Sequence, residues 1–184
     1  MLLVSMEHLI VLIIYALTVC STNGQPKHQL PQEPGEAATV FENFENVVAI
    51  FDIDKDGDLD CLTAVRRDYN RSTRSTKYVW ILKGLHGHQP RNVTYLVLAG
   101  PKRGQFMFKN LDDDGPLRMG SYDYSDYKNC IVMRIPYNNG EECVLWVTEQ
   151  VKNNIPQNCM DYYEDNCDNA KQAYDPESCE SVHG

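Results

Sequence analysis

Cysteine is the residue type with the most chemistry to offer in this 184-residue chain, which has seven. Cys20 lies in an apolar N-terminal segment, and the other six thiols could form disulfides or bind zinc. No two of the six are spaced as Cys-x-x-Cys, so a zinc site is not predicted. An even number of cysteines in a secreted chain predicts a disulfide framework. The six are Cys61, Cys130, Cys143, Cys159, Cys167 and Cys179.

Alternating aspartates from Asp52 to Asp60 match the first half of an EF-hand calcium loop, with ligands at positions 1, 3 and 5 and Gly57 at position 6. Position 12 is Thr63, where such a loop needs a bidentate glutamate. The preceding residues are also strand-like rather than helical. We therefore predict a hairpin turn at Asp56-Gly57 and no metal site, while weak calcium binding by the carboxylates stays open.

Other polar motifs indicate surface loops. His86 and His88 could chelate a metal, but no third ligand is near them in sequence, so we expect loop histidines. Asn70-Arg-Ser and Asn92-Val-Thr are N-glycosylation sequons. No nucleophile elbow, phosphate loop, zinc-protease motif or catalytic carboxylate pair occurs. We predict neither an enzyme nor a cofactor.

An apolar run over residues 9–19 predicts that the chain is secreted. Eleven residues are too few to span a membrane and typical of a signal-peptide core. Thr22 and Gly24 suit cleavage, so residues 1–24 are predicted to be a signal peptide, although no Lys or Arg precedes the run. A buried N-terminal helix is the alternative. Cleavage removes Cys20 and the charge of Glu7, which changes the net charge from −9 to −8.

The mature chain has the length of one domain, about 160 residues. Residues 25–35 contain three prolines and are predicted to be a flexible N-terminal arm, which leaves residues 36–184 for the domain. Its acidic charge, without a basic stripe, argues against nucleic acid and anionic membranes as partners. We expect no insertion into a membrane.

Short strands must position these residues, because turn signals recur every eight to twelve residues from residue 46 onward. Asn139-Gly140 predicts a hairpin between the last two strands. Short helices are expected over residues 36–43, with Val40 and Phe44 facing inward, and around Cys159 and Cys167. Eight strands make a barrel wide enough for one small ligand, and a sandwich with a filled core is the alternative. The predicted strands are 47–53, 58–69, 77–83, 93–99, 105–109, 117–124, 130–135 and 143–147.

Three segments together carry a family resemblance: Asn129-Cys130, Cys143-Val-Leu-Trp146 and Asn154-Ile-Pro-Gln-Asn-Cys159. They resemble the tick salivary lipocalins of the histamine-binding family. The resemblance covers roughly residues 36–180 and implies a mainly β fold. That fold is an eight-stranded antiparallel lipocalin barrel with a short N-terminal helix and a C-terminal helix packed on the barrel. Within the family the chain most resembles the japanin branch, whose members are sterol carriers that modulate host dendritic cells.

The resemblance also implies a disulfide pairing, whereas six cysteines alone allow fifteen. The implied pairs are Cys61–Cys179, Cys130–Cys159 and Cys143–Cys167. The last of these bridges is found only in some members of the family.

Side-chain alternation and the resemblance together predict the lining of a pocket. A glycan on Asn92 must face solvent, which turns the odd-numbered residues of its strand inward. The family's amine binders, as the resemblance has it, carry acids at the positions of Ile131 and Val144. Both are aliphatic here, which favours a hydrophobic ligand. Tyr122 or Asp123 could add a polar contact. The predicted lining is Val93, Tyr95, Val97, Phe106, Phe108, Ile131, Met133, Val144 and Trp146.

The sequence therefore predicts a secreted lipocalin that binds a small hydrophobic ligand, cholesterol or a similar lipid, and modulates host immune cells. Its expected partners are that ligand and the host immune-cell surface. Two other functions stay open: a scavenger of histamine or serotonin, and a module that blocks a host protein. Val144 and Trp146 could also simply fill a dry core.

Overall fold

Eight antiparallel strands form a closed barrel in the computed structural model, which describes residues 34–181. Neighbouring strands pair in chain order from β2 to β8, then β8 pairs with β1 and β1 with β2, which closes the barrel. The predicted fold is confirmed. The proposed signal peptide, and the arm as far as residue 33, lie outside the described residues. The strands are β1 Asn46–Asp52, β2 Thr63–Asn70, β3 Ser75–Leu82, β4 Arg91–Ala99, β5 Gln105–Asn110, β6 Arg118–Ser125, β7 Cys130–Tyr137 and β8 Gly140–Thr148.

Side-chain alternation gives β7 and β8 two buried faces. Ile131 and Met133 point into the barrel, whereas Val132 points outward and is nevertheless fully buried. On β8, Val144 points inward and Leu145 outward, each with no exposed surface. The strands therefore read as continuous apolar runs because the outer face is covered as well as the inner one.

A short helix, α1 (Ala37–Asn43), closes one end of the barrel. Its Val40 and the following Phe44 are 1% exposed and face the interior, as predicted. Two bonds attach this end of the chain to the barrel. Tyr78 donates its hydroxyl proton to the backbone oxygen of Phe44 at 2.5 Å. The backbone N–H of Gly35 donates to the oxygen of Tyr122 at 3.1 Å, so the last residues of the predicted arm pair with β6.

The C-terminal segment covers the outside of β6, β7 and β8. A 3₁₀ turn, Glu149–Val151, leads to α2 (Gln157–Asn166), which begins directly after Pro156. The chain then forms β9 (Lys171–Gln172), which pairs with β1, and α3 (Pro176–Glu180). The ring of Tyr162 stacks on that of Tyr124 with centroids 3.6 Å apart. A second hydrophobic cluster thus lies between the barrel wall and α2.

Two turns differ from the sequence-based predictions. The predicted second strand, 58–69, starts only at Thr63, because hydrogen bonds from the N–H of Asp60 and Leu62 to the oxygens of Gly57 and Leu59 make residues 57–62 a pair of tight turns. Asp56-Gly57 is consequently part of a long loop, residues 53–62, and not a two-residue hairpin turn.

The β7–β8 turn is shifted by one residue. Its central residues are Asn138 and Asn139, both with positive φ, while Gly140 already pairs with Tyr137. Asparagine tolerates the left-handed conformation well enough to form this turn without glycine.

None of the helices within residues 34–181 is long and apolar enough to cross a bilayer.

Candidate ligand-binding cavity

The interior of the barrel holds a cavity beneath α1. Its wall is built almost entirely from the inward-facing residues of all eight strands, together with two residues from α1 and its end. The lining residues are Val40, Phe44, Val47, Ala64, Tyr78, Trp80, Tyr95, Val97, Phe106, Phe108, Asn110, Arg118, Tyr122, Ile131, Met133, Ile135, Pro136, Tyr137 and Trp146.

Seven of the nine residues predicted from the sequence lie on this surface. Val93 and Val144 are buried in the same core but do not line the cavity. Val144 has no exposed surface, so it packs as an ordinary core residue. Tyr122 lines the cavity, whereas Asp123 faces outward and accepts a hydrogen bond of 2.9 Å from Nε of Arg134.

Sequence reasoning missed about half of the wall. On β3, Tyr78 and Trp80 lie on one face of the strand and Val79 and Ile81 on the other. Both faces are apolar, so the sequence does not show which of them points into the barrel. Val40 and Phe44 were expected to face inward but were not assigned to the pocket. Their helical spacing predicted that both side chains point inward. They line the cavity because α1 closes that end of the barrel.

Aromatic rings fill much of the interior. Trp80 lies 5.0 Å from Tyr95 and 5.5 Å from Trp146, measured between ring centroids. Phe106 stacks on Tyr122 at 4.4 Å. The remaining cavity volume is about 90 Å³, below the roughly 300–1,000 Å³ of typical small-molecule pockets. A small ligand fits among these rings, and a larger one must turn some of them aside.

Among the described residues one charged side chain lines the cavity, that of Arg118, and its charge is positive. Residue pairing places Arg118 opposite Phe108, and Asn110 opposite Tyr95, on the inward face of the wall. Arg118 forms no ion pair with any residue in the range 34–181. The end of the cavity formed by these residues is thus polar and carries a positive charge.

Tyrosine hydroxyls and an indole N–H are further, neutral hydrogen-bond donors among the residues that line the cavity. Burial raises the pKa of Tyr95 and, more strongly, that of Tyr122, so both keep their hydroxyl protons at physiological pH. The indole N–H of Trp146 is buried and has no hydrogen-bond acceptor among the described residues. A buried donor without an acceptor is destabilising by about 1–3 kcal/mol, and a ligand acceptor can reach this N–H only by displacing the side chains that cover it.

A carboxylate lies just behind the wall. The hydroxyl of Tyr137, a lining residue, donates a hydrogen bond of 2.6 Å to Oδ2 of Asp58. Asp58 is 5% exposed and does not itself line the cavity.

The family is settled by sequence. A model of the tick histamine-binding protein family matches residues 52–181. The chain belongs to this family. A comparison with curated proteins finds no significant match.

Solved structures share the fold of this family member at low identity. AM182 in its serotonin complex has a TM-score of 0.56 and 17% identity over 78% of this chain and 92% of that one. Japanin from Rhipicephalus appendiculatus bound to cholesterol has a TM-score of 0.53 and 12% identity over 76% and 95%. Apocrustacyanin C2 has a TM-score of 0.52 and 13% identity over 82% and 96%. At these identities the likeness establishes the fold and not the ligand.

Three disulfides join the barrel to the C-terminal segment of this histamine-binding family member, in the predicted pairing. Cys130–Cys159 and Cys143–Cys167 attach α2 to β7 and β8, with Cα atoms 6.1 and 5.8 Å apart. Cys61–Cys179 ties the tail to the loop after β1, with a Cα separation of 5.3 Å. All three lie outside the cavity, so their role is to hold the wall and not to bind a ligand.

Both sequon asparagines are exposed. Asn70 lies at the end of β2 and Asn92 on the outer face of β4. β4 runs without a bulge, so Val93 and Val97 face inward while Asn92 faces solvent, as alternation predicts.

Proposed function

We propose that this family member is a secreted lipocalin that carries a small, mainly hydrophobic ligand, a sterol or a similar lipid, inside its barrel. The observation that carries the proposal is the lining: it is largely apolar and aromatic, and within residues 34–181 it includes no carboxylate. Burial of apolar ligand surface then supplies the affinity, at roughly 25 cal/mol per Å².

The charge of the lining disfavours a cationic amine. An ammonium ion removed from water needs carboxylates around it. Ile131 and Val144 stand where the amine binders of the family are expected to carry acids, and both side chains point inward. The charge that does line the cavity, on Arg118, would repel an ammonium ion and attract a carboxylate or a polar oxygen.

The ligand is expected to have at least one oxygen acceptor. Asn110, Arg118 and Tyr95 place donors at the polar end of the cavity, and the N–H of Trp146 becomes a further donor once a ligand displaces the side chains that cover it. A hydroxyl, carbonyl or carboxylate at one end of an otherwise apolar ligand meets these requirements. A sterol must also turn aside rings that now fill the interior, such as the stacked pair Phe106 and Tyr122, whose Tyr122 ring also meets Phe41 of α1 edge-on.

A matched pair of variants tests the proposal. Val97→Phe enlarges an inward side chain of β4 and reduces the cavity, whereas Leu96→Phe makes the same kind of change on the outer face of that strand. Protein purified from animal-cell medium is analysed by native mass spectrometry and lipid extraction, before and after addition of cholesterol. We expect bound lipid in the wild type and in Leu96→Phe, and much less in Val97→Phe. A wild-type protein that carries no lipid and takes up none counts against the proposal.

Amine transport is the second candidate. It is supported by Asp58, whose carboxylate lies one hydrogen bond behind Tyr137, and by the serotonin complex of a protein with the same fold. Calorimetry with serotonin and histamine decides the matter, since submicromolar affinity for either would favour this second function.

We also propose that the protein acts outside the cell, on host immune cells such as dendritic cells. Three disulfides and two exposed sequons suit a secreted protein, and the family resemblance suggests the target. Maturation of dendritic cells, measured with the wild type and with Val97→Phe, tests whether the effect requires the cavity. An effect retained by Val97→Phe would instead favour a surface that binds a host protein.

A further inference from the structure

Five acidic side chains are buried at the end of the barrel opposite α1, and one of them, Asp60, is paired with Lys171 and His86. Asp54, Asp58 and Glu142 are 8%, 5% and 8% exposed, and Asp52 is completely buried. The aspartates belong to β1 and the following loop, while Glu142 lies on the inward face of β8, two residues before Val144. A folded protein rarely buries so many carboxylates unless something offsets their charge.

Several of these oxygens lack any partner. Both carboxylate oxygens of Asp52, Oδ1 of Asp58 and Oε2 of Glu142 are buried and accept no hydrogen bond within the described part of the chain. Oxygens in this state are destabilising unless a cation, a proton or an ordered water satisfies them.

The nearby cations account for them only in part, because Lys171 interacts electrostatically with Asp52 but forms no ion pair with it. Lys171 and His86 both contact Asp60, at 2.9 and 2.8 Å. Arg91 lies 3.9 Å from Oδ2 of Asp58, beyond hydrogen-bond distance. The carboxylates of Asp52 and Glu142 are in none of the ion pairs seen among residues 34–181.

The loop has the dimensions of a cation site. Three carboxylate oxygens, one each from Asp54, Asp56 and Asp58, lie within 4.8 Å of one another. Oxygens bound to one calcium ion at 2.3–2.6 Å can be at most about 5.2 Å apart. Gly57 turns the loop between them with a φ of +79°, and its N–H donates to Oδ2 of Asp54 at 2.7 Å.

Glu142 approaches this loop from the neighbouring strand. Its carboxylate accepts a hydrogen bond from the backbone N–H of Ile53 and interacts electrostatically with Asp54, Asp58 and Asp56. Asp52 interacts in the same way with Asp54 and Glu142. Thr63, at position 12 of the linear motif, cannot supply a bidentate carboxylate, and Glu142 brings a carboxylate to the edge of the same loop from β8.

We infer that the loop Asp52-Ile-Asp54-Lys-Asp56-Gly57-Asp58, together with Glu142 of β8, binds one calcium ion. An all-oxygen set rich in carboxylates on an irregular loop suits calcium, which accepts six to eight such ligands. Magnesium demands a regular octahedron and usually retains several waters, so it suits this crowded set less well. The ion joins the β1–β2 loop to β8 at the end of the barrel.

Calorimetric titration of the purified protein with CaCl₂ and MgCl₂, after treatment with EDTA, tests the site. Two variants of adjacent residues form a matched pair: Glu142→Gln removes the inward carboxylate, and Glu141→Gln removes one that faces solvent and pairs with Arg134. We expect wild-type calcium binding with a Kd below about 1 mM. Glu141→Gln should stay within about twofold of it, and Glu142→Gln should bind at least about tenfold more weakly.

Asp56→Asn covers the possibility that Glu142→Gln misfolds, since Asp56 is largely exposed and its loss leaves the core intact. It should also weaken calcium binding at least about tenfold. Circular dichroism checks the fold of each variant. The inference is overturned if the folded wild type binds no calcium at 10 mM, a concentration about ten times the weakest Kd expected. It is also overturned if magnesium binds as tightly as calcium, or if Asp56→Asn binds calcium like the wild type.

Discussion

Tyr137 and Asp58, which are 79 positions apart in sequence, are joined by a hydrogen bond of 2.6 Å from the tyrosine hydroxyl to the carboxylate. Tyr137 lines the cavity, and Asp58 belongs to the loop between β1 and β2. The bond therefore links the wall of the candidate binding site to the acidic end of the barrel. A second, longer contact of 3.4 Å comes from the side-chain amide of Asn138.

Removing that bond should destabilise the protein. Tyr137→Phe leaves a buried carboxylate without its shortest hydrogen-bond donor, and we expect a loss of about 1–3 kcal/mol in the free energy of unfolding. Tyr69→Phe is the control, because the Tyr69 hydroxyl makes no hydrogen bond with the described residues, and it should change the stability by less than about 0.5 kcal/mol. Urea denaturation measures both, and equal effects of the two substitutions would contradict the role assigned to the bond.

An acid introduced into the apolar wall should exchange one ligand class for another. Ile131→Glu places a carboxylate inside the cavity, where it attracts an ammonium ion and repels an apolar ligand. We expect serotonin affinity to rise at least about tenfold and lipid uptake to fall. Ile131→Gln has the same shape without the charge, so calorimetry on both variants separates charge from size. An equal gain with Gln would show that charge is not the cause.

The unpaired indole of Trp146 makes a separate prediction. Trp146→Phe removes an N–H that has no acceptor among the described residues, so that polar loss should not itself lower the stability of the ligand-free protein. The affinity for a ligand that accepts a hydrogen bond there should fall about tenfold, which corresponds to ~1.4 kcal/mol. Paired titrations with a sterol and with a hydrocarbon of similar size measure this, since only the sterol should lose affinity. Equal losses for both ligands would assign Trp146 a packing role alone.

The disulfides should contribute unequally to stability. Cys61–Cys179 closes the longest loop, with a separation of 118 residues, and Cys143–Cys167 the shortest, with 24. Chain entropy then predicts losses of about 4.9 and 3.4 kcal/mol on replacement of each pair by serine. Guanidinium denaturation of the two double variants compares them, and the opposite order would mean that contacts around the bridges outweigh loop entropy.

Acid should remove the contribution of Asp126. Burial acts to raise the pKa of this carboxyl, but hydrogen bonds from the backbone N–H groups of Cys130, Asn129 and Lys128 outweigh it and lower the pKa below 3.8. Its stabilising effect is therefore complete above the pKa of the unfolded chain and is lost as pH falls through the folded value. Asp126→Asn should be less stable than the wild type at pH 7, and the difference should shrink as the pH falls through the folded pKa of Asp126. A difference that is constant with pH would contradict this assignment.

Local patterns predicted much of the barrel because each depends on neighbouring residues. Alternation from Asn92 placed Val93 and Val97 inward, since β4 has no bulge. Alternation did not separate the two faces of β3, where Val79 and Ile81 are as apolar as Tyr78. The tertiary structure of the barrel decides which side of β3 points into the cavity.

Features that depend on distant residues were not predictable in this way. The linear calcium motif fails at Thr63, and Glu142 approaches the loop only because β1 and β8 are neighbours in the sheet. The second strand begins late because the turns at residues 57–62 occupy the positions where pairing was expected. Arg118 reaches the cavity wall through its pairing with Phe108, which the sequence of β6 alone does not reveal.

The most direct test uses the two tryptophans of the chain, Trp80 and Trp146, because both line the cavity. Their intrinsic fluorescence therefore reports occupancy without a label. Titration of lipid-stripped protein with cholesterol from a cyclodextrin donor should give a saturable change in the wild type that is lost in Val97→Phe, while histamine, which is not fluorescent, gives none. Saturation by an amine, with no response to sterol or fatty acid, would contradict the proposed lipid carrier.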